Sequence, residues 1–142
     1  MRAVKKIALT LGIILASVTM LEGCAPKWYA VVSRMDGDKP VFCMSRYSHC
    51  NGSGVQLGLI YVFEVDSAGE KVRSMWETSS MTTSIIKILE YGVAPKDWDA
   101  TTPAALEPGK IYTLNSLFYF RFNEKKPIRL VDREQFFENG AD

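Results

Sequence analysis

Val55-Gln56-Leu57-Gly58-Leu59-Ile60-Tyr61-Val62-Phe63-Glu64-Val65 is the stretch on which the reading of the fold turns. In an extended chain successive side chains point to opposite sides. Val55, Leu57, Leu59, Tyr61, Phe63 and Val65 then share one face, and Gln56, Gly58, Ile60, Val62 and Glu64 share the other. The middle of the run is apolar on both sides, as expected of a strand in the centre of a sheet. Ser67-Ala68-Gly69-Glu70 is turn chemistry, and Lys71 to Thr78 returns as a second strand. There Val72, Ser74 and Trp76 alternate against Lys71, Arg73, Met75 and Glu77.

Outward from this hairpin the same pattern recurs. Trp28 to Val32 is a β-rich run ended by Asp36-Gly37-Asp38, and Pro40 to Met44 is another, with Val41 and Cys43 on one face. Asn51-Gly52-Ser53-Gly54 reads as loop. Ile85 to Tyr91 carries apolar residues that would also suit a helical face, but its β-branching and short length favour a strand. Residues 92–110 hold three prolines and two glycines and read as a long connection. Ile111 to Phe122 is strongly β and breaks near Asn115-Ser116 into two strands; Pro127 to Val131 is expected to close the sheet. Short strands separated by turns, with no convincing helix, predict an all-β chain: a single immunoglobulin-like β-sandwich over residues 28–131, followed by a polar tail over 132–142.

Leu106-Glu107-Pro108-Gly109-Lys110-Ile111-Tyr112-Thr113-Leu114 resembles the Leu-x-Pro-Gly-x-x-Tyr-x-Val stretch of fibronectin type III domains. The resemblance implies a tyrosine corner built by Leu106, Pro108 and Tyr112. In such a corner the buried phenol bonds the backbone a few residues upstream, where the chain crosses between sheets.

The N-terminus has a different logic. Arg2, Lys5 and Lys6 precede fifteen uncharged residues, Ile7 to Leu21. A membrane-spanning helix needs about 20 apolar residues, so the run has the length of a signal-peptide core. Leu21-Glu22-Gly23-Cys24 resembles the lipobox of bacterial lipoproteins, with Glu22 a departure where a small or apolar residue is usual. The resemblance implies cleavage after residue 23 and acylation of Cys24. It also implies attachment to the outer membrane facing the periplasm, because Ala25 is not the aspartate that signals inner-membrane retention. Residues 24–27 would form a tether of only about 10 Å at roughly 3.5 Å per residue.

Removing residues 1–23 from the 142-residue chain leaves 119, enough for one domain. The chain has 17 basic and 16 acidic residues; residues 1–23 hold three and one of these, so the remainder carries a net charge of −1. That balance offers no electrostatic footprint for nucleic acid or for an anionic membrane surface. Three cysteines are an odd number; assigning Cys24 to lipid leaves Cys43 and Cys50, a pair suited to a short-loop disulfide in an oxidising compartment. Those two cysteines and the sole imidazole, His49, fall short of a structural metal site. No cofactor site and no catalytic set stand out: Glu64 and Asp66, Asp97 and Asp99, and Asp132 and Glu134 all read as solvated charges.

Trp98, in a proline-rich loop between Asp97 and Asp99 and near Lys96, is the candidate anchor for a protein partner, since tryptophan is enriched at binding hot spots. Its competing role is a lid folded over one end of the sandwich. The lipobox, the KPVFCMS run from Lys39, the MWE run from Met75, the ILEYG run from Ile88 and the LEPGKIY run from Leu106 together resemble small enterobacterial lipoproteins described as type VI secretion immunity proteins. That resemblance implies a periplasmic binding protein that neutralises a toxin effector. An accessory lipoprotein assisting a secretion or outer-membrane complex is the alternative, with a small-ligand binder or an unrecognised enzyme behind both.

Overall fold

Alternating apolar positions and glycine turns lay the described residues out as eight strands. They are β1 (Tyr29–Asp36), β2 (Lys39–Ser45), β3 (Val55–Val65), β4 (Lys71–Ile86), β5 (Ile88–Glu90), β6 (Asp99–Ala100), β7 (Ile111–Leu114) and β8 (Phe118–Arg121), followed by a one-turn helix, α1 (Arg133–Phe137). These assignments come from a computed structural model that describes residues 27–125 and 127–140. The expected export segment and Cys24 lie outside the described residues.

Two antiparallel sheets pack face to face. One has the order β1-β2-β5 and the other β6-β4-β3-β7-β8, so the chain crosses between sheets after β2, β4 and β5. The protein is an all-β sandwich. Its shared core is filled by Phe42, Met44, Ile60, Trp76, Tyr112, Phe120 and Phe122, all fully buried. Edge-on aromatic pairs knit it together, Phe42 to Phe120 at 5.9 Å and Trp76 to Tyr91 at 5.6 Å. Asn115 and Ser116 break β7 from β8 as expected, both in the left-handed region (φ 51° and 55°) that a tight hairpin turn requires.

β3 is central as expected, and of its two faces the inward one is Ile60, Val62 and Glu64, while the outer one carries the half-buried Tyr61 and Phe63. Those two rings are not bare, because the Lys71 ammonium lies 4.6 Å from the Phe63 centroid and 5.1 Å from that of Tyr61. Several expectations are corrected. Met75 does not alternate with Trp76. A bulge opposite Val62 and Phe63 inserts one extra residue, and both side chains are buried. The strand expected from Ile85 is split at Lys87: Ile85 and Ile86 finish β4, and Ile88 starts β5 in the other sheet. Pro127 to Val131 does not form a strand, and only Val131 bridges to Tyr119 of β8.

The polar tail is also corrected. Val65, Ile111 and Tyr119 form an apolar strip on the outside of the five-stranded sheet, and Phe136 of α1 covers it. Asp132 caps the helix by accepting the Gln135 N–H at 2.8 Å. Arg133 donates to the carbonyls of Gly69 and Ala68, which fastens the helix to the β3–β4 turn.

Candidate functional site

A sandwich has two flanks where sheet edges face one another, and here they differ. On the β4–β5 flank the 92–110 connection closes the gap. Tyr91 donates its hydroxyl to Ala104 O at 2.6 Å, while the Ala104 N–H bonds Met75 O at 2.9 Å. Thr101 N–H reaches Glu77 O at 2.8 Å, and the Thr78 hydroxyl reaches Asp99 O at 2.7 Å. The edge of β4 is thereby covered, which removes a strand that would otherwise be open to pairing.

This connection contains the expected partner anchor, and the structure corrects that expectation. Asp97 turns the chain through the left-handed region (φ 65°), and Trp98 points into the core, where only 9% of it is exposed. Its packing group includes Trp76, Tyr91 and Leu106. Lys96, Asp97 and Asp99 remain on the surface around it. The lid role describes Trp98; an exposed anchor does not.

The neighbouring corner forms as the local motif implies. Tyr112 is fully buried and its hydroxyl oxygen accepts the Glu107 N–H at 2.8 Å, with Leu106 buried beneath and Pro108 exposed at the turn. Burial pushes the phenol of Tyr112 above its ordinary pKa, and does so more strongly for Tyr91.

Glu64 is also corrected: it is no solvated strand charge. Its carboxylate is buried, 2.7 Å from Arg73 Nε and 3.1 Å from Lys110 Nζ. The Arg73 hydrogen bond is the largest influence and holds the carboxyl below its ordinary pKa, against the opposing effect of burial. A carboxylate clamped by two cations is poorly placed to exchange protons near neutrality. It closes the polar end of the core. Its signal in the sequence was the inward register it shares with Ile60 and Val62.

Cys43 and Cys50 form the expected disulfide, with Cα atoms 5.8 Å apart. Ser45 and Ser53 share Asn51 Oδ1, at 2.9 and 3.0 Å, which folds the bridged loop back on β2. His49 is exposed and stacks loosely on Tyr47, at 6.1 Å. Among the described residues no group of three His, Cys, Asp or Glu side chains could hold a metal ion.

Among the described residues the opposite flank is left open along β1, while β8 carries only the single bridge from Tyr119 to Val131. β1 is the edge of one sheet and β8 the edge of the other, and between them runs a groove of about 780 Å³. Its floor and walls are Trp28, Ala30, Leu117, Phe118, Leu130 and Val131, with Lys27 and Asp132 on its rim. Trp28 meets Phe118 edge-on at 5.0 Å and props the groove at one end. An edge strand leaves alternate N–H and C=O groups without a strand partner. The groove therefore combines apolar lining with an open backbone edge on β1. It was not foreseen from the sequence, because it is produced by which strands end each sheet.

Comparison with known protein families, with curated proteins and with solved structures finds no match for this chain.

Proposed function

We propose that this protein is a membrane-anchored periplasmic lipoprotein that works by binding another protein, in an immunity role toward a delivered toxin effector. The observation that carries the binding reading is the open flank. One side of the sandwich is sealed by a long connection that contributes Trp98 to the core, while the other leaves an apolar groove beside an unpaired strand edge. An extended segment of a partner protein fits such a site by adding a strand to β1 and placing alternate side chains in the groove. The anchor supports the same reading. Acylation at Cys24 would hold the groove near the membrane, where tethering raises the effective concentration for a partner passing there.

The test has two arms. Cys24→Ser should leave the protein unacylated and out of the membrane fraction; fractionation and migration like wild type would remove the lipoprotein reading. Leu117→Arg places a charge at the groove wall on a half-exposed side chain (47%), so folding should be little affected. In cells exposed to siblings that deliver the matching effector, this variant should lose protection and lose co-purification of the effector. Full protection with Leu117→Arg would discard the groove. Co-purification of envelope-assembly proteins, with no effect on killing, would favour the accessory role.

A further inference from the structure

The segments that form one end of the sandwich are Lys27–Tyr29, Ser45–Gln56 and Ser80–Ile88. Register brings them together. Tyr29 pairs with Ser45, Val55 with Ile86, Gln56 with Ile85, and Cys43 with Ile88. The Gln56 amide donates to Thr83 Oγ1 at 2.7 Å, and Met44 N–H bonds Lys87 O at 2.8 Å. A shallow depression is shared by Lys27, Trp28, Arg46, Val55 and Thr83.

Two properties distinguish this end. First, it exposes large apolar side chains: Met81 fully, Ile85 at 61%, Tyr47 at 56% and Ile88 at 51%. Met81 stands out because β4 bulges there, with Ser80 to Thr83 set against the single residue Gly58. Second, its charges have one sign. Lys27, Arg46 and Lys87 are exposed, and no aspartate or glutamate occurs in any of the three segments, although the chain beyond residue 23 carries slightly more acid than base. Asp132, which shares the groove with Lys27, is engaged in capping α1.

We infer that this end rests on a phospholipid surface. The inference builds on the lipid anchor at Cys24. With only Ala25 and Pro26 between that residue and Lys27, the chain reaches about 10 Å at most, so this end and no other is held at the headgroups. Aliphatic and aromatic side chains ringed by cations are what an interfacial surface uses, burying apolar area at the acyl boundary while lysine and arginine meet lipid phosphate. The opposite end, with the Asp36–Lys39 and Asp66–Glu70 turns, mixes both signs and faces away from the bilayer. Docking fixes the orientation of the domain and turns the groove along the membrane plane.

The test places a photo-crosslinking amino acid at Tyr47, Met81 or Ile85 in the full chain in cells, with Val72 and Val93 as exposed apolar controls distant from this end. Lipid adducts are expected at the first three and absent at the controls. Combined Arg46→Glu and Lys87→Glu substitutions should reduce their yield several-fold without detaching the protein. Fractionation separates the two readings. Membrane-bound protein whose Tyr47, Met81 and Ile85 probes give no lipid adduct, or give protein adducts instead, overturns docking while leaving the anchor intact. Soluble protein without lipid adducts overturns both, and soluble protein that still gives lipid adducts supports docking and removes the anchor.

Discussion

The Tyr112 hydroxyl oxygen and the Glu107 N–H meet at 2.8 Å, across the point where the chain enters β7. The phenol is the acceptor, so its loss leaves a backbone donor unpaired beside a fully buried ring. Because the hydroxyl carries no packing role that phenylalanine would lose, Tyr112→Phe isolates this bond. It should cost about 1–3 kcal/mol, read as a lower denaturant midpoint at unchanged slope. A midpoint equal to wild type would show that the bond contributes nothing and that the corner is held by packing alone.

Glu64 gives the fold a pH dependence with a definite sign. Its folded pKa is depressed, first by the Arg73 hydrogen bond, so the unfolded chain binds its proton more readily than the native one. The stabilisation is fully present above the ordinary carboxylate value of about 4.3 and is lost as pH falls below it, through the folded pKa. Both cations are half exposed, so salt should weaken the effect. Urea midpoints measured against pH should fall more steeply below that value in wild type than in Glu64→Gln. Parallel curves would mean that Glu64 is not the group responsible.

The limits of legibility are themselves physical. Signals that act within a few residues were readable: the β3 alternation, the Asn115-Ser116 break, the Tyr112 corner and the Cys43–Cys50 pair. The facing of β3 was not, because both its sides are apolar. The outer side is spared by Lys71 lying over Tyr61 and Phe63, and farther along by α1 covering Val65. A five-residue helix is too short to display a period, so α1 was hidden in a stretch read as polar. The groove depends on β1 and β8 being the strands that end their sheets, a property of the whole topology that no local pattern carries. The acid-free end has the same origin, since it is assembled from segments far apart in sequence.

The disulfide should act on the loop more than on the core. Cys43 is buried in β2 and Cys50 lies in the exposed loop, only seven positions on. The chain-entropy account gives about 2.5 kcal/mol for so short a closure. Cys50→Ser keeps a single buried thiol at Cys43, which β2 accommodates as a small apolar group. This variant should melt lower than wild type. Hydrogen exchange should quicken mainly across 46–54, where Tyr47 and Arg46 would no longer be held for the lipid surface. Uniform loss of protection throughout both sheets would contradict a local role.

Trp98 separates a folding role from a binding one. As part of the core beside Trp76, Tyr91 and Leu106, its indole fills volume that alanine would leave empty. Large-to-small changes of buried aromatics cost about 3–5 kcal/mol, and Trp98→Ala should lower stability by that order. The connection around it would loosen too, uncovering the β4 edge that β6 now pairs through Thr78 and Ser79. Lys96→Ala and Asp99→Ala alter exposed side chains and should stay within about 0.5 kcal/mol of wild type. Any loss of partner binding in Trp98→Ala should therefore follow its unfolding, and disappear when binding is measured at a temperature where the variant is fully folded. Near-wild-type stability combined with a binding defect would reverse this assignment and return Trp98 to the surface as an anchor.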